Sequence, residues 1–302
     1  MNTKKKKSRT LINLIGLPSV LFVVYQGGVL FQLFICLVMF LGIKEFSNLM
    51  KIKNYSINSS FLYCIIPITL FSNTSFFNNF IYNLFNDKFG GHNPMAWSVD
   101  FIISLMKIDF IGIVIILIIL IWEIFRSKKA PFENIAATIF GLIWIVSFLD
   151  ISVSIRNYHI NGYEFTLCML LSVWACDSAA FYFGSKFGNK KILPHISPNK
   201  TWVGTFAGYL SAILFVFLFQ VFYKSFFDCN IFTYSDVLIL GTIFGIVGQL
   251  GDFFESMIKR ELNIKDSGTI LQGHGGVLDR FDSLLFVIPT FYLFLLYKFP
   301  IL

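Results

Sequence analysis

Nine apolar runs, set apart by polar or Gly/Pro punctuation, decide what this chain can fold into. They lie at roughly 11–26, 28–43, 59–73, 108–125, 134–152, 164–184, 203–223, 236–250 and 283–299. A straight helix needs ~20 apolar residues to cross a bilayer, and backbone facing lipid must satisfy its own N–H and C=O groups. The expectation is an all-α, polytopic integral membrane helical bundle of about nine transmembrane helices. Several runs fall short of ~20 residues, so tilt, interfacial ends or a re-entrant first pair belong to the expectation. The run 59–86 is the least regular, because FSNTSFFNNFIYNLF mixes polar with aromatic residues. Composition agrees: 14% of residues are charged, against about 25% in soluble domains. No hydrophilic stretch is long enough to fold alone, so residues 1–302 are read as one membrane domain.

The basic residues test this map. With the basic opening MNTKKKKSRT inside, segments 1–10, 44–58, 126–133, 185–202 and 251–282 hold 19 of the 24 Lys and Arg. The other side holds Lys88, Lys107, Arg156, Lys224 and Lys298. That asymmetry is what the positive-inside rule requires, and missing one helix would scramble it. The N-terminus is therefore predicted cytoplasmic and the C-terminus external, in the cell's inner (plasma) membrane. Topology accounts for the formal charge of +7, and no nucleic-acid partner is expected. No small-residue cleavage site follows the first apolar run, so that run reads as an anchor-like span. The five cysteines form no CxxC pair and read as free, buried thiols rather than a disulfide framework or a zinc site.

Against this apolar background, two polar segments stand out on the predicted cytoplasmic side. The first continues a span as GQLGDFFESMIKREL. At helical spacing Asp252, Ser256 and Lys259 share a face with Glu255 beside them, while Phe253, Phe254, Met257 and Ile258 fall opposite. Alone, Asp252 reads as an interfacial acid paired with Lys259 or Arg260. KDSGTILQGHGGVLDRFD changes that. Gly273, Gly275 and Gly276 surround His274, and Asp279 and Asp282 follow at i, i+3. Glycines let backbone N–H groups approach a phosphate, and hard carboxylate oxygens suit Mg²⁺, which binds one or two of them plus substrate phosphates. Lys259, Arg260, Lys265 and Arg280 supply positive charge for a polyphosphate. In the second segment, Asp177 is an intramembrane acid, which marks a functional site or a hydrogen bond locking two helices. Ser197, Pro198, Lys200 and Thr201 form a turn opening the next helix, with Ser or Thr able to cap it. Such a turn suits an anion, or is a plain cap with a solvated lysine.

S-M-I-K-R-x4-K-D-S-G-x4-G-H-G-G-x2-D-R-x-D, from Ser256 to Asp282, closely resembles the C-terminal motif of phosphatidate cytidylyltransferases (CDP-diacylglycerol synthases). GDFFES at 251–256 resembles that family's preceding GD-x2-ES element, and DSAAFYFGSKFGNKKILPHISPNKTWVG at 177–204 resembles its D-x2-A-Y-x2-G-x3-G … SP-x-KT-x-EG element. The basic tail and the KEF after the second run fit as well. The likeness is detailed in the C-terminal half and extends to the N-terminal half only in hydropathy. It departs from the family at Val203, where Glu is usual, at Gln272, where Pro is usual, and at Phe181, where Tyr is usual, although Tyr182 is adjacent.

The resemblance implies a nucleotidyltransferase of phospholipid biosynthesis that converts CTP and phosphatidate to CDP-diacylglycerol and pyrophosphate, with Mg²⁺ and a second cation such as K⁺. It also implies a homodimer in the lipid bilayer. Asp252 and Asp279 are the expected metal ligands, 27 residues apart in sequence, so folding must bring them together. Lys259, Arg260 and Arg280 are expected to hold phosphates. Lys265 and Asp266 fix the loop by a salt bridge or touch substrate. His274 bonds a phosphate or shapes the turn. Asp177, Ser197, Lys200, Thr201, Ser256, Gly275, Gly276 and Asp282 complete the expected substrate site. On this reading helices 1–160 are scaffold, and 161–302 carry the catalysis. Two rivals stay open on sequence: a CTP-dependent membrane lipid kinase of polyprenol type, which would release CDP, and a cation-coupled transporter using Asp177 and Asp252. Against the transporter, the acids cluster on one membrane face, and no repeat relates the two halves.

Overall fold

The computed structural model describes residues 16–72, 114–126, 129–268 and 275–299. Nine helices form among them: α1 (Gly16–Gln26), α2 (Gly28–Ile52), α3 (Ser59–Ser72), α4 (114–126), α5 (Pro131–Arg156), α6 (Gly162–Phe187), α7 (Trp202–Phe227), α8 (Tyr234–Glu261) and α9 (Leu278–Lys298). Their number matches the nine apolar runs. Of the described helices, α2 and α5 to α9 are long and apolar enough to cross a membrane. The irregular stretch 74–107, with His92, lies outside the described residues.

Two ends moved for physical reasons. The expected second span stopped before Lys44, yet α2 runs on to Ile52. Phe46 and Leu49 are buried in this extension and keep the apolar period going past the charges. The last helix starts at Leu278 rather than near residue 283 because a carboxylate from elsewhere in the chain satisfies its first N–H groups.

Helix contacts follow the small residues. Cβ atoms placed on Gly204 and Gly208 of α7 would stand 2.6 Å from the Ala180 carbonyl oxygen and 2.9 Å from that of Cys176 on α6. Glycine is what lets these two helices meet backbone to backbone, the packing that lipid favours because apolar burial adds little there. Phe46, Phe165, Phe244 and Phe291 fill the interior between α2, α6, α8 and α9, while Phe181, Phe226 and Tyr297 face outward. The cysteines are all free; Cys168 and Cys176 are buried, but Cys64 is exposed on α3, unlike its expected burial.

Two helices contain a π turn, at 142–147 in α5 and at 243–247 in α8. Such a turn leaves carbonyls short of partners, and side chains take them up. Ser147 donates to the Leu142 carbonyl at 3.2 Å, and Gln249 donates to the Gly245 carbonyl at 2.7 Å.

The polar ends sort as the charge map requires. At one end Lys53 pairs with Glu261 at 3.5 Å, Arg126 donates to Ser56 and to the Ile57 carbonyl, and Arg260 donates to the Ile196 carbonyl at 3.2 Å. Four segments expected on one side of the membrane thus touch one another. At the other end Arg156 caps α1 by donating to the Val24 and Tyr25 carbonyls at 2.7 and 3.0 Å. There also Tyr158 donates to the Leu295 and Phe299 carbonyls, and Lys298 pairs with Asp236 at 3.1 Å.

Candidate active site

The C-terminal half of α8 is the spine of the site. Gln249, two residues beyond the π turn, also donates to the Thr205 carbonyl at 3.1 Å and so pins α8 to the start of α7. The next turns present the polar face expected from the period. Ser256 donates to Asp252 Oδ1 at 3.3 Å, and Lys259 donates to Glu255 Oε2 at 2.9 Å. Phe254 packs away from this face against Phe140, Trp144 and Phe286. Phe253 does not join it there: its ring lies beneath Lys200, with Nζ 4.1 Å from the ring centroid, on the side of the acids.

Lys200 comes from the segment between α6 and α7. That segment folds back on itself, with the Ile192 N–H donating to the Lys200 carbonyl and the Trp202 N–H to the Lys190 carbonyl. Thr201 then caps α7, accepting from the Gly204 N–H at 3.2 Å. This geometry sends the Lys200 ammonium to Asp252 Oδ2, 2.6 Å away and partly shielded from solvent. The field of Lys200 also reaches Asp177, as do those of Arg280 and Asp252. Asp282, one turn into α9, faces the fields of Asp252, Glu255 and Asp177. Four acids from three helices thus share one polar region with Lys200 and Arg280.

Asp279 stands in a different setting from the one expected. Its Oδ1 accepts from Lys259 at 2.6 Å, and its Oδ2 accepts from the N–H groups of Ser267 and Gly276 at 2.9 and 2.7 Å. Both oxygens therefore already serve this chain. Lys259, expected on phosphate, is buried between Glu255 and Asp279 and builds the site from behind. The glycine-rich turn differs in the same way. The Gly276 N–H points at Asp279, and the Val277 and Leu278 N–H groups point at Glu45 of α2, at 2.9 and 3.0 Å. These donors meet carboxylates of the protein instead of lying open to a phosphate.

The structure brings Asp177, Lys200, Asp252, Ser256, Arg280 and Asp282 into one region. Asp279 joins α9 to α8 through Lys259. Arg260 is exposed and braces two loops through the Ile196 and Ile264 carbonyls. Ser197 donates its N–H to the Leu193 carbonyl in the turn before Lys200. Lys265 and Asp266 are exposed, and among the described residues no ion pair joins them. Gly275 takes a positive φ of 81°, as a turn glycine should. Gln272, Gly273 and His274 lie outside the described residues. Sequence reasoning assigned nothing to Ser267, Gln249 or Glu45. Of these, Glu45 carried a signal, an acid inside the apolar period of an extended helix.

A groove of about 780 Å³ opens between α6 and α7. Phe183, Trp202, Val203, Phe206 and Leu210 are among its walls. Val203, which replaces the acid usual in the resembling motif, is one of its walls.

A family model described as the Cytidylyltransferase family matches residues 7–298. The chain is 31% identical to a phosphatidate cytidylyltransferase of Staphylococcus saprophyticus over 94% of its own length and 96% of that protein's. It is 37% identical to one of Thermotoga maritima over 56% of the chain and 62% of the relative, and 34% identical to one of Bacillus subtilis over 61% and 67%. With a match across nearly its whole length, from the basic tail through the charged C-terminal helices, the chain belongs to the Cytidylyltransferase family.

Proposed function

We infer that the protein is a phosphatidate cytidylyltransferase, an integral membrane enzyme that transfers the cytidylyl group of CTP to phosphatidate. The observation that carries the reading is the Lys200–Asp252 ion pair at 2.6 Å, which joins the two motif segments, with Asp177, Asp282 and Arg280 within electrostatic range. A phosphate oxygen of the lipid attacks the α-phosphorus of CTP, a new P–O bond forms, and the bond to the β-phosphate breaks to release pyrophosphate. The attacking phosphate is already largely ionised near neutral pH, so no general base is required. The difficulty is that two polyanions must meet, which makes positioning and charge neutralisation the main tasks of the protein.

Lys200 and Arg280 are suited to the phosphates, since both reach the acidic region from flexible stems. Asp252 holds Lys200 in place until an anion competes for it. Phe253 beneath the ammonium adds a cation–π contact that limits where it goes. The groove along Val203 and Phe206 suits the acyl part of the lipid, because it is apolar and begins at Trp202, two residues after Lys200.

The acids fit a divalent cation. Among the described residues no three His, Cys, Asp or Glu side chains stand ready as a complete ligand set. Mg²⁺ does not need one, because it commonly takes one or two carboxylates with water and substrate phosphates. Asp252 and Asp279 are the residues proposed to hold it, with Asp282 and Asp177 within electrostatic range of Asp252. Glu255 Oε1 is buried beside them with no hydrogen-bond partner among the described residues. When bound, the cation would neutralise developing charge on the phosphate oxygens. Asp279 is held by Lys259 and by the Ser267 and Gly276 N–H groups, much as Asp252 is held by Lys200 and Ser256, and both keep their place as proposed ligands. The active site is assigned to the cytoplasmic side of the inner membrane on the strength of the Lys/Arg asymmetry.

The test is an assay of purified protein with phosphatidate, labelled CTP and Mg²⁺. Pyrophosphate and a labelled liponucleotide are expected. Release of CDP with a phosphorylated lipid would replace this reading by a kinase.

A further inference from the structure

We propose that Glu45, from the half of the chain read as scaffold, is a positioning residue for the reaction. Its carboxylate clasps Ser267 to the first turn of α9 and so fixes where Asp279, Arg280 and Asp282 stand. The proposal rests on the function inferred above.

Glu45 lies on α2, more than 220 residues from its partners in sequence, and is 2% exposed. Its Oε1 accepts from the Val277 N–H at 2.9 Å. Its Oε2 accepts from the Leu278 N–H at 3.0 Å and from the Ser267 hydroxyl at 3.2 Å. The first N–H groups of a helix have no partner inside it and carry partial positive charge. A buried carboxylate there caps α9 from a distant helix. Ser267 is shared: its hydroxyl goes to Glu45, and its N–H goes to Asp279. Two carboxylates, one from each half of the chain, thus grip the same residue and the same turn.

The packing leaves little tolerance. A Cβ on Gly268 would stand 2.5 Å from Glu45 Oε1, and one on Gly276 would collide with Oε2. Glycine at both places lets the backbone close on the carboxylate. Through Asp279 the clasp continues to Lys259 and Glu255 on α8, so moving Glu45 shifts the cations and acids of α8 and α9 relative to each other. A displacement of ~1 Å at a supporting group can cost on the order of 10²-fold in rate.

The experiment compares wild type, Glu45→Gln, Glu45→Asp and Ser267→Ala. Pyrophosphate release is measured against CTP concentration at saturating phosphatidate. Hydrogen–deuterium exchange is followed in peptides covering 275–285. Glu45→Gln keeps the shape but sets an NH₂ group against an N–H donor. It is expected to lower kcat at least ~10-fold while KM for CTP changes little, and to speed exchange at the start of α9. Glu45→Asp should recover part of the lost kcat. Ser267→Ala leaves the helix cap intact and should lower kcat several-fold, with no further loss when combined with Glu45→Gln. Wild-type kcat or unchanged exchange in Glu45→Gln overturns the proposal, as does a loss confined to KM. If Glu45→Gln does not accumulate in the membrane, Ser267→Ala decides, and unchanged kcat there overturns it. A wild-type protein that releases no pyrophosphate removes the functional reading, while the exchange measurement still judges the clasp.

Discussion

Asp252 and Lys200 are 52 residues apart in sequence and 2.6 Å apart in the fold. Asp252→Asn removes the negative charge proposed to hold a divalent cation and deprives Lys200 of its ion-pair partner. We expect kcat to fall on the order of 10²-fold or more, with the protein still in the membrane; a loss under about fivefold in a steady-state assay would remove Asp252 from the reaction. Lys200→Met deletes a charge-assisted contact to phosphate, each worth about 1.5–3 kcal/mol, so kcat/KM should drop roughly 10- to 150-fold while the Thr201 cap keeps α7 intact. Val203→Glu restores the usual acid at the first turn of α7, where negative charge is favoured, and turnover should stay at or above the wild-type level. Which residues meet in the candidate site was only partly legible. Asp252, Ser256 and Lys259 could be grouped because one helix period relates them. The pairing of Lys200 with Asp252, and of Glu45 with α9, could not, because tertiary contacts between remote segments leave no periodic trace.

At the scale of helices, apolar run and helix agree closely wherever the interior is uniformly apolar, as in α6 and α7. They part where a helix carries buried polar groups, because hydropathy ends at the first charge and the backbone does not. Glu45 inside α2 is such a case, and the polar last turns of α8 are another. Neither π turn was foreseen, since its stabilising contacts come from Ser147 and Gln249, ordinary residues on the strength of type alone. The α6–α7 contact gives a direct test. Gly208→Val presses a branched side chain into the Cys176 carbonyl, and overpacking of this kind costs about 1–3 kcal/mol. The detergent-solubilised variant should unfold several degrees lower, and an unchanged midpoint would show that the helices have room to part.

For the molecule as a whole, the two ends divide the labour. One end is a lock: Arg156 on the α1 carbonyls, Tyr158 on the end of α9, and Lys298 with Asp236. Arg156→Met should lower thermal stability, by about 1–3 kcal/mol for the lost charge-assisted hydrogen bonds to the Val24 and Tyr25 carbonyls, yet leave kcat in the surviving protein unchanged; a matching fall in kcat would tie this end to catalysis. The other end gathers the polar segments and all the acids and cations assigned to the reaction. Highly charged CTP does not diffuse through hydrocarbon, so on the proposed site this placement makes the enzyme one-sided. In sealed vesicles only one orientation should consume added CTP, and permeabilisation should reveal the rest. A lipid taken from the leaflet beneath these charges is handed back to that same leaflet. Newly made liponucleotide is therefore born asymmetric across the bilayer, and evening it out demands a separate transbilayer step.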